Sequence, residues 1–428
     1  MVEQWTENPC VVGPIPTGGK KDRFARVGLF FYAVFCYNIN MKLNNEIIAF
    51  TGGGTGGHIY PGLAVADQLK LLCKSKNQNI KIIWLGCSKG MDSNIVSKAI
   101  GPDNKATADK FYPIPSGKLR RYFSFKNFTD LFNIAAGFFK SYHVLRKNKP
   151  CALFSKGGFV SVPPCIAARL LKIPVYTHEC DFTLGLANKI NFKSAKKMFL
   201  SYEETKNSLS AQDQKRVIVT GNPIRPVFYN TNPSKGLEFA KVPSDHKKPL
   251  LLVLGGSSGA RQINELVYEN LDFLCQNFYV VHQTGLVNAN EEEENKLKEK
   301  YDSYKPFPFI YQEMPDLLSS ADLVLSRAGA NSIWEAAVLH KPMLLIPLCG
   351  NGTRGDQVDN SKYFEEKGGA VMLLGKDASA PKLKEALENL LDEKVRKNMK
   401  ENLIKIVGDN IPAKKIAEIL YEEIEEKR

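Results

Sequence analysis

The same local pattern opens both halves of the chain, and it constrains the fold more than any other feature. An apolar run, Glu46–Phe50, leads into the glycine-rich turn TGGGTGGH, and a second apolar run, Leu250–Leu254, leads into GGSSGA. A helical pattern follows each turn. Strands joined to helices by glycine-rich turns are typical of βαβ units, in which neighbouring strands lie parallel. The chain is therefore predicted to have an α/β fold with parallel sheets.

Short apolar runs alternate with helical patterns in two series along the chain. The first series predicts strands at Glu46–Phe50, Ile82–Leu85, Ala152–Ser155, Val175–His178, Met198–Ser201 and Val217–Thr220. The second predicts strands at Leu250–Leu254, Tyr279–His282, Phe309–Tyr311, Leu323–Leu325, Met343–Ile346 and Ala370–Leu373. Residues 229–249, rich in Asn, Pro, Ser and Lys, form the expected linker between domains 41–228 and 250–428. The C-terminal helix is expected to pack back on the first domain.

The first forty residues differ from the rest of the chain. A basic stretch at 20–26 precedes the apolar run Val27–Tyr37, which is about half of the ~20 residues that a membrane span needs. Met41 directly precedes the first strand pattern. Residues 1–40 are therefore interpreted as an N-terminal extension upstream of a functional start at Met41, or alternatively as a weakly membrane-associating segment.

The charge of the chain predicts a polyanionic partner. The formal net charge is +13, which suits nucleic acid, anionic lipid or a phosphorylated substrate. The nine cysteines contain no C-x-x-C pair, as expected for reduced thiols in the cytosol. The six histidines show no metal-ligand spacing. We therefore expect neither a metal nor another cofactor.

The first glycine turn matches the dinucleotide-binding pattern G-x-G-x-x-G through Gly52, Gly54 and Gly57. That function also requires an acidic residue at the end of the next strand, to bind the ribose. Here Ile82–Leu85 is followed by Gly-Cys-Ser. Dinucleotide binding is therefore disfavoured, whereas binding of another anion to the turn remains possible on chemical grounds.

The second turn matches the nucleophile elbow G-x-S-x-G of hydrolases through Gly255, Ser257 and Gly259. We interpret it instead as a phosphate cradle, since hydroxyl and backbone N–H groups at a helix start bind anions. Each half then carries one anion-binding turn. Two such turns suit a transferase that joins a nucleotide-diphosphate sugar to a phosphorylated acceptor.

A small-residue turn at 328–330 opens a further helical pattern that contains Glu335. The first amides of such a helix can bind a diphosphate, and a carboxylate one and a half turns later can accept hydrogen bonds from two ribose hydroxyls. Because the carboxylate could equally lie on a solvated helix face, this pattern alone does not establish a nucleotide site.

Six segments in order resemble one family closely: GGGTGGHIYPGLAVA, KGGFVS, HECDFTLGLANK, GNPIR, GGSSGA and SRAGANSIWE. The family is the MurG family of bacterial UDP-N-acetylglucosamine:undecaprenyl-pyrophosphoryl-muramoyl-pentapeptide N-acetylglucosaminyltransferases. The resemblance runs from about Met41 to the C-terminus. It implies a GT-B fold, with two Rossmann-like parallel-sheet domains facing a cleft, the acceptor bound by the first and the UDP-sugar by the second.

The resemblance also implies an activity. It is transfer of N-acetylglucosamine from UDP-GlcNAc to the 4-hydroxyl of undecaprenyl-pyrophosphoryl-MurNAc-pentapeptide (lipid I), with inversion, giving lipid II for peptidoglycan, and so serving cell shape and division. Such an enzyme is a peripheral protein on the cytoplasmic face of the cell membrane. The alternative is another GT-B UDP-sugar transferase, acting on a diacylglycerol or sterol.

The residues that match the family's motifs are expected to bind UDP-GlcNAc. They are Thr55, Gly56, Gly57, Asp181, Arg225, Ser257, Tyr311, Ala330, Asn331, Ser332, Ile333, Trp334, Glu335 and Gln357. The catalytic base is either His58 or Asp181, and His58 could instead orient an acceptor phosphate. Many members have asparagine where this chain has Asp181; an ionised aspartate only accepts hydrogen bonds, so the contact at this position is in question.

A basic and aromatic loop is the expected membrane contact. It contains Lys118, Arg120, Arg121, Tyr122, Phe123 and Phe125. Basic residues near anionic lipid gain about 1 kcal/mol each, and aromatic rings favour the interface. The helical pattern that follows is interpreted as mostly core. A nucleic-acid-binding module would also suit the charge, but no recognition motif supports it, and no nucleic-acid partner is expected.

Overall fold

A computed structural model describes residues 46–117, 125–256, 259–287, 291–350 and 353–426. Residues 125–129, 291 and 293 are described by their backbone only. The expectations for residues 1–40, for Ser257 and for the loop from Lys118 to Phe123 lie outside the described residues, as does the side chain of Phe125.

The described strands form two parallel sheets. The strands of the first are β1 (Glu46–Thr51), β2 (Ile80–Cys87), β3 (Lys110–Ile114), β4 (Ala152–Ser155), β5 (Val175–Glu179), β6 (Lys197–Leu200) and β7 (Val217–Val219). Those of the second are β8 (Leu250–Leu254), β9 (Tyr279–Gln283), β10 (Tyr304–Phe307), β11 (Leu323–Ser326), β12 (Met343–Leu345) and β13 (Ala370–Met372). Their orders are β3-β2-β1-β4-β5-β6-β7 and β10-β9-β8-β11-β12-β13.

Helices connect these strands. In the first half they are α1 (Tyr60–Ser75), α2 (Asp92–Lys98), α3 (Phe125–Asn148), α4 (Val162–Leu170), α5 (Leu186–Phe192), α6 (Ala211–Gln214) and α7 (Pro233–Ala240). Those that follow are α8 (Arg261–Glu269), α9 (Leu271–Asn277), α10 (Glu291–Lys300), α11 (Met314–Ser320), α12 (Ala330–Val338), α13 (Asp356–Glu366), α14 (Ala380–Leu390), α15 (Glu393–Val407) and α16 (Pro412–Glu425). None of the helices in the described part is long and apolar enough to cross a bilayer.

Both glycine turns lie where the strand order reverses. β1 pairs with β2 on one side and β4 on the other, and β8 pairs likewise with β9 and β11. In parallel α/β sheets a crevice opens at this point, outside the carboxyl ends of the strands, and ligands bind there. The turns after β1 and β8 are therefore both placed at such a crevice.

The central strands are buried on both faces, which explains their nearly continuous apolar sequences. In β1, Ile48, Ala49 and Phe50 are fully buried. Phe50 stacks on Trp84 of β2, with ring centroids 5.8 Å apart. These close contacts fix β1 and hence the glycine turn at its end.

The last helix, α16, belongs to the core of the first sheet. Its buried residues Ile416, Leu420 and Ile424 share a cluster with Ile48 and Phe50. The carboxylate of Glu423 accepts hydrogen bonds from the Tyr176 hydroxyl and from Lys196. The end of the chain therefore completes the first half of the fold.

One strand prediction was wrong and one strand was missed, both for the same reason. The strand expected at Phe309–Tyr311 lies instead at β10, and β3 was not predicted at all. Both observed strands contain proline, Pro306 in β10 and Pro113 in β3, and both lie at a sheet edge. A proline has no N–H to give to a ladder, but at an edge one side of the strand needs no partner.

The helix after the basic loop was also misread. The prediction placed its apolar residues mostly in the core, but in α3 Leu131, Phe132 and Phe139 are 58%, 63% and 69% exposed. Farther along the helix Val144 and Leu145 are buried. The segment 131–139 of α3 thus presents apolar side chains to solvent.

Candidate functional site

A cavity of about 670 Å³ lies between the two halves of the fold. Gly56, Gly57 and Tyr60 line it from the first glycine turn and α1, and residues of the second sheet line the opposite side. Eight residues predicted to bind the donor are among its lining: Gly56, Gly57, Arg225, Tyr311, Asn331, Ser332, Glu335 and Gln357. A cavity of this size suits a nucleotide-sized ligand.

The second glycine turn has a shape that only glycine allows at two positions. Gly256 and Gly259 have φ angles of +83° and +81°, and a β-carbon at Gly255 would stand 2.4 Å from the backbone nitrogen of Ala260. α8 begins directly afterwards, and no described side chain caps its first turn. Among the described residues, its first backbone N–H groups therefore have no side-chain acceptor, which is the condition for anion binding at the edge of the cavity.

A second uncapped helix, α12, begins at the same cavity. No described side chain accepts a hydrogen bond from its first turn, and the space beside Gly329 is open. Glu335, one and a half turns later, lines the cavity with its side chain 19% exposed. Burial raises the pKa of Glu335 to about 6, opposed by the charge of Arg225. The helix start and the carboxylate have the arrangement that diphosphate and ribose binding require.

Arg225 and Glu335 form an ion pair at the wall of the cavity, with Nη2 3.4 Å from Oε1. The guanidinium lies over the rings of Tyr60 and Phe228, at 5.2 Å and 4.8 Å from their centroids. These rings hold a cation beside the uncapped helix starts. Tyr60 was not predicted as a site residue; the signal available was its position two residues after the first glycine turn. Burial and a hydrogen bond with Tyr311 raise the pKa of Tyr60 to about 12.

Helical periodicity divides the predicted donor motif at the start of α12. Asn331, Ser332 and Glu335 line the cavity, whereas Ile333 and Trp334 are buried in the core of the second half, as is Ala330. The Trp334 indole donates a hydrogen bond to the Tyr202 hydroxyl at 3.2 Å. The structure therefore places the side chains of Ala330, Ile333 and Trp334 away from the cavity.

Asn331 connects the two halves. Its side-chain amide donates to the Gly57 carbonyl at 3.4 Å, and its amide oxygen accepts from Asn222 at 3.1 Å. Gln357, at the start of α13, lines the cavity, and its Oε1 accepts the Leu348 N–H at 2.9 Å. Thr55, in the first turn, is exposed and outside the cavity lining.

The first glycine turn already holds an internal anion. Asp92, fully buried at the start of α2, accepts the N–H of Gly54 at 2.9 Å and the N–H of Cys87 at 2.7 Å. A β-carbon at Gly53 would stand 1.7 Å from the Asp92 carboxylate. The acidic residue that the dinucleotide pattern lacks after β2 is thus present a few residues later, but it binds the turn itself.

His58 closes the first turn and is half-buried. A β-carbon at Gly158 would stand 2.9 Å from Cδ2 of the His58 ring. The first glycine turn is therefore in direct contact with the glycine pair Gly157–Gly158, which follows β4. Burial lowers the pKa of His58 to about 4, and the charge of the fully buried Lys156 lowers it further, while Asp181 opposes both. The imidazole is therefore neutral near pH 7.

Asp181 is engaged on both carboxylate oxygens. Arg354 donates to Oδ2 at 2.8 Å, and the Asn360 amide donates to Oδ1 at 3.2 Å. Burial raises the pKa of Asp181, and the carboxylates of Glu179 and Asp356 raise it further. The structure thus places Asp181 in a contact between the halves and outside the cavity lining.

Glu179, Cys180 and Asp181 lie close enough together to be considered as metal ligands. Glu179 instead organises the loop: its oxygens accept the N–H groups of Cys180, Asp181 and Gly185 and the amide of Asn188. Since Arg354 supplies the cation next to Asp181, this cluster is occupied by internal contacts.

Comparisons with known proteins agree with this geometry. The Glycosyltransferase family 28 N-terminal domain matches residues 48–200, and the family's C-terminal domain matches residues 250–417. The chain belongs to glycosyltransferase family 28. The family expected from the motifs is confirmed, and with it the assignment to hexosyl-transferring enzymes.

Family 28 relatives share most of their length with this chain. The UDP-N-acetylglucosamine--N-acetylmuramyl-(pentapeptide) pyrophosphoryl-undecaprenol N-acetylglucosamine transferase of Treponema denticola is 47% identical, covering 88% of this chain and 97% of the relative. The enzyme of the same name, numbered 2, from Bacillus cereus is 41% identical over 80% of this chain and 91% of its own.

Solved structures share the fold. Acinetobacter baumannii MurG aligns with a TM-score of 0.64 and 22% identity over 88% of this chain and 99% of its own. Neisseria meningitidis UDP-GlcNAc 2-epimerase, solved with UDP-GlcNAc, aligns with a TM-score of 0.58 and 18% identity over 88% of this chain and 100% of its own. The expected GT-B fold is thereby confirmed.

Proposed function

We propose that this family 28 chain transfers N-acetylglucosamine from UDP-GlcNAc to undecaprenyl-pyrophosphoryl-MurNAc-pentapeptide, the reaction for which its relatives are named. One observation carries the proposal: Arg225, Glu335 and two uncapped helix starts face a single cavity between the halves. The second half then binds the donor. The reaction follows the inverting course that the motifs imply and yields lipid II.

The cavity supplies the charge stabilisation that departure of UDP requires. The N–H groups at the starts of α8 and α12 carry partial positive charge, and Arg225 adds a full one. As the bond between the sugar C1 and the diphosphate breaks, negative charge develops on the leaving oxygen. Glu335 accepts hydrogen bonds from the ribose hydroxyls and thereby orients the nucleotide. These residues are the proposed contacts that bind UDP and stabilise the negative charge of the leaving diphosphate.

His58 is the proposed base. It takes the proton of the acceptor's 4-hydroxyl while that oxygen forms a bond to C1 and UDP departs. His58, like Asp181, lies outside the cavity lining, but it is neutral near pH 7 and directly follows Gly56 and Gly57, which line the cavity. Asp181 is the weaker candidate, because Arg354 and Asn360 already bind its two oxygens.

The apolar side of α3 is the proposed membrane contact, together with the basic loop before it. Leu131, Phe132 and Phe139 are exposed on α3, and Ile166 and Leu170 are exposed on α4, which packs against α3. Lys118, Arg120 and Arg121 precede α3 in the sequence. A surface with both apolar and basic side chains suits binding to an anionic bilayer. Bound in this way at the cytoplasmic face, the enzyme would reach an acceptor that is held in the membrane.

A panel of donors and acceptors tests the activity. UDP-GlcNAc and UDP-glucose are each incubated with a lipid I analogue and with diacylglycerol, and the products are separated by mass. We expect transfer from UDP-GlcNAc to the lipid I analogue only. Transfer from UDP-glucose to diacylglycerol would instead establish the alternative lipid glycosyltransferase, and transfer to neither acceptor would refute both.

Co-sedimentation with vesicles containing anionic lipid tests the membrane contact. Replacing Leu131, Phe132 and Phe139 by serine should release most of the protein, as should replacing Lys118, Arg120 and Arg121 by serine. The control is Ile404→Ser, which changes an apolar residue 46% exposed on α15. Undiminished sedimentation of both multiple variants would exclude this surface.

A further inference from the structure

The loop after β5 binds the first turns of α13. Besides the Asp181–Arg354 pair, the Phe182 N–H donates to Asn360 Oδ1 at 2.9 Å. The Thr183 hydroxyl donates to Asp359 Oδ2 at 2.8 Å. This loop follows a strand of the first sheet and α13 precedes a strand of the second, so the contacts join the two halves.

The Asp181–Arg354 pair is the charged part of this contact. The Asp181 side chain is 11% exposed, and a buried carboxylate requires a cation or several hydrogen bonds. Gly185 leaves room for the guanidinium, because a β-carbon there would stand 2.8 Å from Arg354 Nη1. The loop therefore accommodates Arg354 specifically at this position.

Arg354 is connected to the cavity through the chain itself. Its Nη2 also pairs with Asp356 Oδ2 at 2.8 Å, across Gly355, whose φ is +80°. Gln357 comes next and lines the cavity. The turn is thus fixed to the first half on one side and contributes to the cavity on the other.

The family resemblance implies that Gln357 lies near the sugar of the donor. We propose that Arg354 is a positioning residue for that end of the donor. By pairing with Asp181 it holds the start of α13, and so Gln357, in place against the cavity. Asp181 then acts through Arg354 rather than by touching the sugar, and its carboxylate adds to the hydrogen bond a charge that an asparagine lacks. The inference rests on the proposed function, because it takes the cavity as the UDP-GlcNAc site.

The test compares wild type with Arg354→Gln, Asp181→Asn and the double variant. UDP and UDP-GlcNAc binding are measured by calorimetry, and kcat and KM by transfer to a lipid I analogue. We expect each single variant to raise the KM for UDP-GlcNAc about 10-fold while the Kd for UDP changes less than about 2-fold, since the proposed ribose contact, Glu335, lies on α12 rather than on α13. The KM of the double variant for UDP-GlcNAc should rise no more than that of the worse single variant, because the effects of coupled residues are not additive.

The matched control is the pair Glu204 and Lys367. Lys367 follows the other end of α13, and its Nζ lies 3.1 Å from Glu204 Oε1 of the first half. Glu204→Gln with Lys367→Gln should leave the KM for UDP-GlcNAc within about 2-fold, because this pair lies at the end of α13 away from Gln357 and its side chains are 35% and 48% exposed. An equal rise in the KM of this control would overturn the proposal, because the loss of any contact between the halves would then weaken donor binding.

Other outcomes separate the two proposals. An unchanged KM in Arg354→Gln refutes the positioning role, as does a 100-fold loss of kcat in Asp181→Asn at unchanged KM, which would make Asp181 the base. Arg354→Lys keeps the charge and gives an intermediate KM; it replaces Arg354→Gln if that variant does not fold. Failure of the wild type to bind UDP-GlcNAc at all would instead refute the proposed function.

Discussion

The guanidinium of Arg225 lies 3.4 Å from the carboxylate of Glu335, so the proposed diphosphate and ribose contacts are paired with each other. A nucleotide entering the cavity would offer each a new partner: the diphosphate for Arg225 and the ribose hydroxyls for Glu335. The cavity thus keeps both charges in place while neither is fully solvated.

Glu335→Gln should stabilise the fold at neutral pH while weakening donor binding. The pKa of Glu335 is raised from 4.5 to about 6, so ionising it in the folded state is unfavourable by about 2 kcal/mol. Because the folded pKa is the higher one, the contribution of the Glu335 carboxyl to the free energy of unfolding is fully present below pH 4.5 and is lost as the pH rises through about 6. Urea unfolding should therefore show Glu335→Gln more stable than wild type by up to about 2 kcal/mol at pH 7.5, and equal at pH 4.5.

Glu365→Gln is the control for this measurement. Glu365 accepts the Met372 N–H at an exposed site, and glutamine retains that acceptor. Its free energy of unfolding should stay within about 0.5 kcal/mol of wild type at both pH values. If Glu335→Gln were less stable than wild type at pH 7.5, the Arg225 pair would outweigh the burial of the carboxylate.

His58→Ala should lower kcat about 100-fold or more, the expected loss for a general base. With saturating UDP-GlcNAc, the wild-type kcat should fall only near pH 4, the lowered pKa of His58. Lys156→Met removes a charge that lowers this pKa, so the acid limb should move to higher pH. The exposed Lys193→Met should leave the limb in place. A His58→Ala change confined to KM would assign the ring to acceptor binding.

Asp92→Ala should distort the first glycine turn. It leaves the N–H groups of Gly54 and Cys87 without their acceptor, each at a loss of about 1–3 kcal/mol. Since the same turn ends in His58 and its Gly56 and Gly57 line the cavity, kcat should fall at least about 10-fold and the KM for UDP-GlcNAc should rise. Thermal unfolding and steady-state kinetics measure the two effects.

A second carboxylate controls for the loss of an acceptor from a backbone N–H. Asp109 accepts the Ile82 N–H at 2.7 Å elsewhere in the first sheet, with its side chain 40% exposed. Asp109→Ala should reduce stability with kcat unchanged. Equal kcat losses in the two variants would show that Asp92 has no special relation to the turn.

Glu423→Ala should destabilise the protein by about 3 kcal/mol, since it removes a buried carboxylate from the Tyr176 hydroxyl and Lys196. Glu426 pairs with the same lysine at 3.6 Å but is 67% exposed, so Glu426→Ala should change the free energy of unfolding by less than about 0.5 kcal/mol. Chemical unfolding of both variants measures the difference. Equal effects would mean that burial of Glu423 is unimportant.

Sequence patterns predicted the interior of the fold better than its edges. The runs at Ile48–Phe50 and Leu250–Leu254 are apolar because both faces of a central strand are buried, so they were readily identified. β3 and β10 contain prolines that only an edge strand tolerates, and α3 has core-like spacing on a side that meets solvent. In each case, the neighbours on the sheet or helix decide the outcome, and the local sequence does not contain them.

The cavity lining was predicted where a motif is local, and contacts between distant residues were missed. Asn331, Ser332 and Glu335 follow one helix start, so one segment reveals them. Asp181 and Arg354 are 173 positions apart, and neither residue type signals the other. Their contact depends on how the two halves meet, which no spacing within either half encodes.

The position of α16 has a consequence for the order of folding during synthesis. Ile416, Leu420 and Ile424 complete the core around Ile48 and Phe50, yet they are translated some 370 residues later. The apolar surface of the first sheet that α16 covers therefore stays exposed to solvent while the second half of the chain is translated. A chaperone that shields emerging chains would act on this surface until the last helix leaves the ribosome.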